Sequence, residues 1–284
     1  MKKFIFLILF SPVFLVGQTP SNLGFSTVEV YSSKYEAPYH YLLADDVNLR
    51  KCPERTCTSI DALKIGQRMI LLEKSQNAET INGITSHWYK VEADDVTGWI
   101  WGGMIAQGAF GSKTDPSVKF VYGLKKADPA DPWYPVYQIR AFKDHKEIAR
   151  KDIEVPTRGF QIQGMGNNGL NLNDIISISL PCNGGCGCTT GNLVIFWNGQ
   201  EFSEIEELLG TADAWASEAT YFIYPTSMEG IPNTLIKVSE FFIDEQEDGK
   251  IKRGITREYF QWNGKKLVPD SSRKTEKITY VMEI

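Results

Sequence analysis

Trp88-Tyr-Lys-Val-Glu-Ala-Asp-Asp-Val-Thr-Gly-Trp-Ile-Trp101 decides the fold of the N-terminal half. Asp94-Asp95 is a tight-turn signal, and the residues on either side alternate as half-buried strands do. Successive strand side chains point to opposite faces, so Trp99 and Trp101 share one face and Ile100 takes the other, toward a core. The same alternation separates Trp88 and Lys90 from Tyr89 and Val91. The spacing leaves open which of those two pairs faces outward.

Working outward, Val47-Asn-Leu-Arg50 alternates, and Gln67-Arg-Met-Ile-Leu-Leu-Glu73 is apolar and β-rich. Several short strands within one compact stretch, without a helical period, predict a small barrel over residues 38–106. The polar segment 18–37 precedes it as a leader or edge segment. A Gly-, Ser- and Pro-containing stretch, 107–117, reads as a linker.

Four pieces in order, Val47-Asn-Leu-Arg50, Ala62-Leu-Lys-Ile-Gly66, Trp88-Tyr-Lys-Val91 and Thr97-Gly-Trp-Ile100, resemble the bacterial SH3 (SH3b) domain. Two departures stand out. Lys51-Cys52-Pro53 replaces the usual Ser-Gly-Pro, and Lys74 to Ser86 is longer than the usual hairpin loop. The resemblance implies an SH3-like barrel that binds cell-wall peptide or glycan. Trp99, Trp101 and Tyr89 are the expected ligand contacts, with Trp88 as the alternative to Tyr89 and Arg50 as a polar partner. Aromatic faces bury large area at little entropic cost, which suits stacking on a flat ligand. The other expected roles are structural, as an envelope component docking on another protein, or, third, as an accessory to a cell-wall hydrolase.

Residues 118–284 predict a mainly β, antiparallel meander. It carries an internal echo, Leu193-Val-Ile-Phe-Trp-Asn-Gly-Gln-Glu-Phe202 against Glu258-Tyr-Phe-Gln-Trp-Asn-Gly-Lys-Lys-Leu267. Asn-Gly suits a type I′ hairpin, in which both central residues take positive φ. Asn173–Leu180 and Pro232–Val238 are the inner strands expected beside these hairpins. The echo is similar to FG-GAP-like β-propeller repeats, whose loops often hold calcium. The corresponding stretches here, Gly166–Asp174 and Ser227–Pro232, carry one carboxylate each, and calcium favours several. No metal or other cofactor is therefore expected. Between the hairpins, Phe202-Ser-Glu-Ile-Glu-Glu-Leu-Leu-Gly210, continuing to Ala219, has an acidic start and a glycine end that predict a short helix.

The N-terminus has the plan of a signal peptide over residues 1–17: Lys2-Lys3, an apolar run and Gly17 before a cleavage point. The expected location is the periplasm or the cell exterior. No later apolar run is longer than a strand, so no stable membrane insertion is expected. The net charge of −5 gives no basic face of the kind nucleic-acid binders carry. Five cysteines agree with an oxidising compartment. Cys52 and Cys57 close a four-residue loop as a predicted disulfide. Cys182, Cys186 and Cys188 form a glycine-rich cluster in which two pair and one is left over, with Cys182 and Cys188 as the candidate pair. Only His40, His87 and His145 are available to an enzyme. No nucleophile motif accompanies them, and they are too scattered for a zinc site. The chain reads as a non-catalytic, exported binding module.

Overall fold

In the barrel, short alternating strands fold around one apolar centre. The computed structural model describes residues 27–28, 30, 39–127, 135–155, 160–181, 188–213, 215–245 and 250–283. The signal-peptide stretch 1–17, most of the leader, and Cys182 and Cys186 lie outside the described residues. The first seven strands are β1 Thr27–Val28, β2 Tyr39–Tyr41, β3 Val47–Arg50, β4 Ser59–Leu63, β5 Arg68–Ile81, β6 Ile84–Ala93 and β7 Val96–Trp101. They form one sheet in the order β2-β5-β6-β7-β3-β4, with β1 added parallel to β6. Inward residues Leu49, Leu63, Met69, Tyr89, Val91 and Ile100 fill its core. Ile100 is fully buried there, as alternation requires.

Two-residue type I′-like turns tie the hairpins. Asp94 and Asp95 both take positive φ (45° and 65°), as the turn signal predicts. The long stretch from Lys74 to Ser86 is the extended β5–β6 hairpin, closed at Asn82-Gly83 with φ of 52° and 77°. That is the backbone a two-residue Asn-Gly hairpin demands.

A 3-10 turn, Gly102–Met104, leaves the barrel, and the chain enters a four-stranded sheet. Its strands are β8 Gly108–Gly111, β9 Lys119–Lys126, β10 Val136–Lys143 and β11 Lys146–Glu154, in the order β11-β10-β9-β8. The segment read as a linker thus contributes a strand: Phe110 pairs with Phe120 across β8 and β9. One face of this sheet meets the barrel through Val121 and Phe142 against Leu43 and Ile65. The opposite face, through Phe120 and Ile139, meets Ile176, Ile178, Ile195 and Trp197 of a third sheet.

That third sheet has nine strands. They are β12 Gln161–Gly166, β13 Asp174–Leu180, β14 Cys188–Trp197, β15 Phe202–Ala212, β16 Ala216–Ile223, β17 Leu235–Glu245, β18 Lys250–Trp262, β19 Leu267–Pro269 and β20 Glu276–Glu283. It is an antiparallel meander in which β18 carries both β19 and β20. The sheet curls on itself, so Val194 and Phe196 on β14 share a core with Phe222, Leu235 and Trp262. The rings of Phe196 and Trp262 are 5.2 Å apart.

The predicted helix after Phe202 is a strand. β15 pairs with β14 from Cys188↔Ala212 to Trp197↔Phe202. Leu208 joins the curled core while its neighbour Leu209 packs toward the four-stranded sheet. Both faces of the segment are used, and cross-strand packing overrides its helical caps. Among the described residues there is no α-helix, so none is long and apolar enough to cross a membrane.

The internal echo corresponds to two like-built hairpins, β14–β15 and β18–β19. Each inner strand pairs with the first strand of its hairpin, β13 with β14 and β17 with β18. The turns are not type I′, because only Gly199 and Gly264 have positive φ (96° and 95°). Each loop has four residues and is organised by the asparagine. Asn198 Oδ1 accepts from the backbone N–H groups of Gln200 (3.0 Å) and Glu201 (2.9 Å). Asn263 Oδ1 does the same with Lys265 (3.0 Å) and Lys266 (2.9 Å). Such Asx turns set the chain reversal without a left-handed asparagine.

Candidate binding groove beside the barrel

The residues around Arg50 line a groove. β3 carries Arg50 opposite Trp99 on β7, and Arg50 Nη1 donates to the Cys57 carbonyl at 2.6 Å. The loop so anchored is closed by the predicted Cys52–Cys57 disulfide, with Cα atoms 5.8 Å apart. Asn77 Nδ2 donates to the Pro53 carbonyl at 3.3 Å, and Arg55 Nε pairs with Glu79 at 3.1 Å. The loop is thus braced against the long β5–β6 hairpin. Cys188 is also disulfide-bonded.

The segment leading into β3 is acidic. Asp45 Oδ1 accepts from the Ile65 N–H at 3.2 Å, and Asp46 Oδ1 accepts from Lys64 Nζ at 2.5 Å. The hydrogen bond to Asp46, followed by its charge, raises the Lys64 ammonium above its ordinary value. The groove, of about 250 Å³, is lined by Asp45, Asp46, Asn48, Arg50 and Arg55, together with Val47, Ile81, Trp88, Trp101 and Met104. A lining that holds cations, anions and apolar side chains together suits a short peptide carrying both charges.

Of the ligand contacts expected from sequence, Arg50, Trp88 and Trp101 meet in this groove. Trp88 and Trp101 are directly opposed across β6 and β7. Tyr89 points the other way, into the barrel core, where its hydroxyl accepts from the Val30 N–H at 3.1 Å. Trp99 is half-buried against the core between barrel and sheets and does not line the groove. Trp101 is itself only 5% exposed. Its Nε1 donates to the carbonyls of Glu79 (3.0 Å) and Ser86 (3.2 Å), so it presents an edge rather than an open face.

Sequence reasoning missed Arg55, Asp45, Asp46, Ile81 and Met104. Arg55 had a signal, since it sits in the cysteine-bounded loop. Ile81 and Met104 had none, because the fold brings them in from a hairpin tip and a 3-10 turn.

Behind the shared residues Ile81, Trp101 and Met104 lies a second cavity of about 260 Å³. Its polar lining is Asn82, Lys125, Gln138, Arg140 and Arg150. Arg140 and Arg150 share Glu147, at 3.0 Å and 2.5 Å. Burial lowers the Arg140 guanidinium from its usual value against the opposing pull of Glu147, and its Nε is buried without an acceptor.

Asp174, the one carboxylate of the Gly166–Asp174 stretch, holds two segments together. Asp174 is fully buried, and its carboxylate accepts from the Ser112 hydroxyl, the Lys113 N–H (3.0 Å) and the Thr114 hydroxyl (3.4 Å). It pins the segment after β8 to the start of β13. His145 lies in the β10–β11 turn, with its Nδ1 3.0 Å from the Ile65 carbonyl.

Residues 45–106 match the family model of the bacterial SH3 domain. This is a binding-domain family, and its members point in general to cell-wall components. The match ends with the barrel, and the resemblance to FG-GAP-like repeats has no support from it. No curated protein and no solved structure matches the chain.

Proposed function

We propose that the protein is an exported, non-catalytic binding module that holds cell-wall peptide in the groove beside its SH3-like barrel. The observation that supports this reading is that Arg50, Arg55, Asp45 and Asp46 line one groove with Trp88 and Trp101. A peptide with both carboxylate and ammonium groups adds opposite charges to these side chains, whereas a neutral glycan offers them only dipoles. Complementary charge gives specificity at a contact, so this lining favours peptide over sugar. The disulfide beside the groove supports export, because such bonds persist in oxidising compartments. The cationic cavity behind Trp101 extends the groove toward a ligand carboxylate.

Co-sedimentation with purified peptidoglycan tests the reading. The protein pellets with intact sacculi and stays in solution with sacculi whose peptides have been removed by an amidase. Equal binding to the stripped glycan would transfer the recognition to sugar. No binding to either would leave docking on an envelope protein as the better account.

A further inference from the structure

The far end of the nine-stranded sheet is built like an unfinished interface. β20 pairs with β18 along one edge only, and among the described residues no strand pairs with its other edge. Its side chains are not those of a guarded edge. Ile278, Tyr280, Val281 and Met282 are between 42% and 56% exposed. Soluble proteins usually blunt such edges with charge, proline or a bulge, because free N–H and C=O groups template pairing with another chain.

We propose that β20 pairs antiparallel with β20 of a second copy of this chain, in the register centred on Tyr280. The choice of partner follows from self-complementarity. In that register Ile278 falls opposite Met282 and Thr279 opposite Val281, each twice by symmetry, and Tyr280 meets its own copy at the centre. A shift of one residue between the strands sets Lys277 opposite Met282, a charge against an apolar side chain. It also joins unlike sheet faces, because side chains alternate with period two.

The centred register continues rows that already exist in the monomer. Ile255 is opposite Ile278, and Ile251 is opposite Met282 across β18 and β20. Pairing at Tyr280 therefore runs Ile255 and Ile278 into Met282 and Ile251 of the second copy, twice by symmetry. Each chain uses its edge once, so the contact is isologous and closes as a dimer. Glu276, at the start of the strand, accepts from the Tyr259 hydroxyl at 2.7 Å, which fixes β20 to its own sheet before any partner arrives.

Light scattering and sedimentation velocity on the purified full chain read the outcome. A dimer at micromolar concentration is expected. Tyr280→Lys places two like charges opposite each other at the centre of the ladder and should weaken the dimer by about tenfold. Ile278→Lys should do the same through the apolar rows. Both sites are on the exposed strand, and circular dichroism confirms that each variant is folded. A monomer at all concentrations overturns the proposal. So does a dimer that neither substitution weakens.

Discussion

Replacing Trp101 with alanine separates two roles that the indole holds at once. Its edge lines the groove, and the ring is packed at the junction of barrel and sheets. Removing a buried tryptophan side chain from a close-packed site costs about 3–5 kcal/mol. The carbonyls of Glu79 and Ser86 lose their shared donor, which adds roughly 1 kcal/mol for buried acceptors. A loss of about 4 kcal/mol corresponds to a fall in Tm of about 10 °C for a chain of this size, at roughly 2–4 °C per kcal/mol. Differential scanning calorimetry on the oxidised protein measures it. A binding defect in Trp101→Ala is therefore no proof of ligand contact. Trp101→Phe is the cleaner probe, because it keeps most of the ring volume and loses only the N–H. A Tm lowered by less than about 3 °C in Trp101→Ala would refute the packing argument. It would show that the indole is dispensable to the junction.

Three further outcomes follow from the same structure. Replacing both Cys52 and Cys57 with alanine should lower stability by about 2 kcal/mol, as a short closed loop implies, and should weaken ligand binding by freeing Arg55; urea titration reads the first effect and calorimetric titration the second. Asp174→Ala should cost about 3 kcal/mol, because three donors after β8 lose a buried carboxylate, and an unchanged urea midpoint would show that the staple is idle. Burial raises the Tyr224 phenol to about 12, whereas in the unfolded chain it titrates near 10. The stability this phenol contributes is therefore complete below about pH 10 and lost as pH rises toward 12. Tyr224→Phe should flatten the alkaline limb of the stability profile, and a profile identical to wild type would contradict the burial.

The barrel was legible because its strands are short, local and closed by turns with their own chemistry. Asp94-Asp95 and the alternation around Ile100 suffice to orient β6 and β7. Alternation alone could not say whether Trp88 or Tyr89 faced the groove, since both are large and both are buried. That choice is made by Val28, Phe120 and Ile139, which share a core with Trp88 and are distant from it in sequence. The misread helix at Phe202 has the same origin. Its acidic start and terminal glycine are real helix signals, but a ten-residue partner, β14, offers a ladder along its full length. The Asn-Gly pairs show how local context changes a turn. Asn82-Gly83 closes a two-residue hairpin with both residues left-handed, whereas Asn198-Gly199 and Asn263-Gly264 sit in wider loops where the asparagine side chain does the capping. The groove was half legible, since Arg50 and the tryptophans were in view while Met104 and Ile81 reach it only through the fold.

Isothermal titration of a purified cell-wall stem peptide into wild-type protein and into Arg55→Glu tests the central claim most directly. Arg55 is exposed, so its solvent-screened pair with Glu79 adds little to stability, and the substitution reverses a charge lining the groove without disturbing a core. Saturable binding to the wild type, weakened about tenfold or more in Arg55→Glu with the Tm unchanged, is the expected result, because a like charge then faces the ligand carboxylate. Binding of equal strength to both proteins, or to neither, would contradict the assignment of this groove to cell-wall peptide.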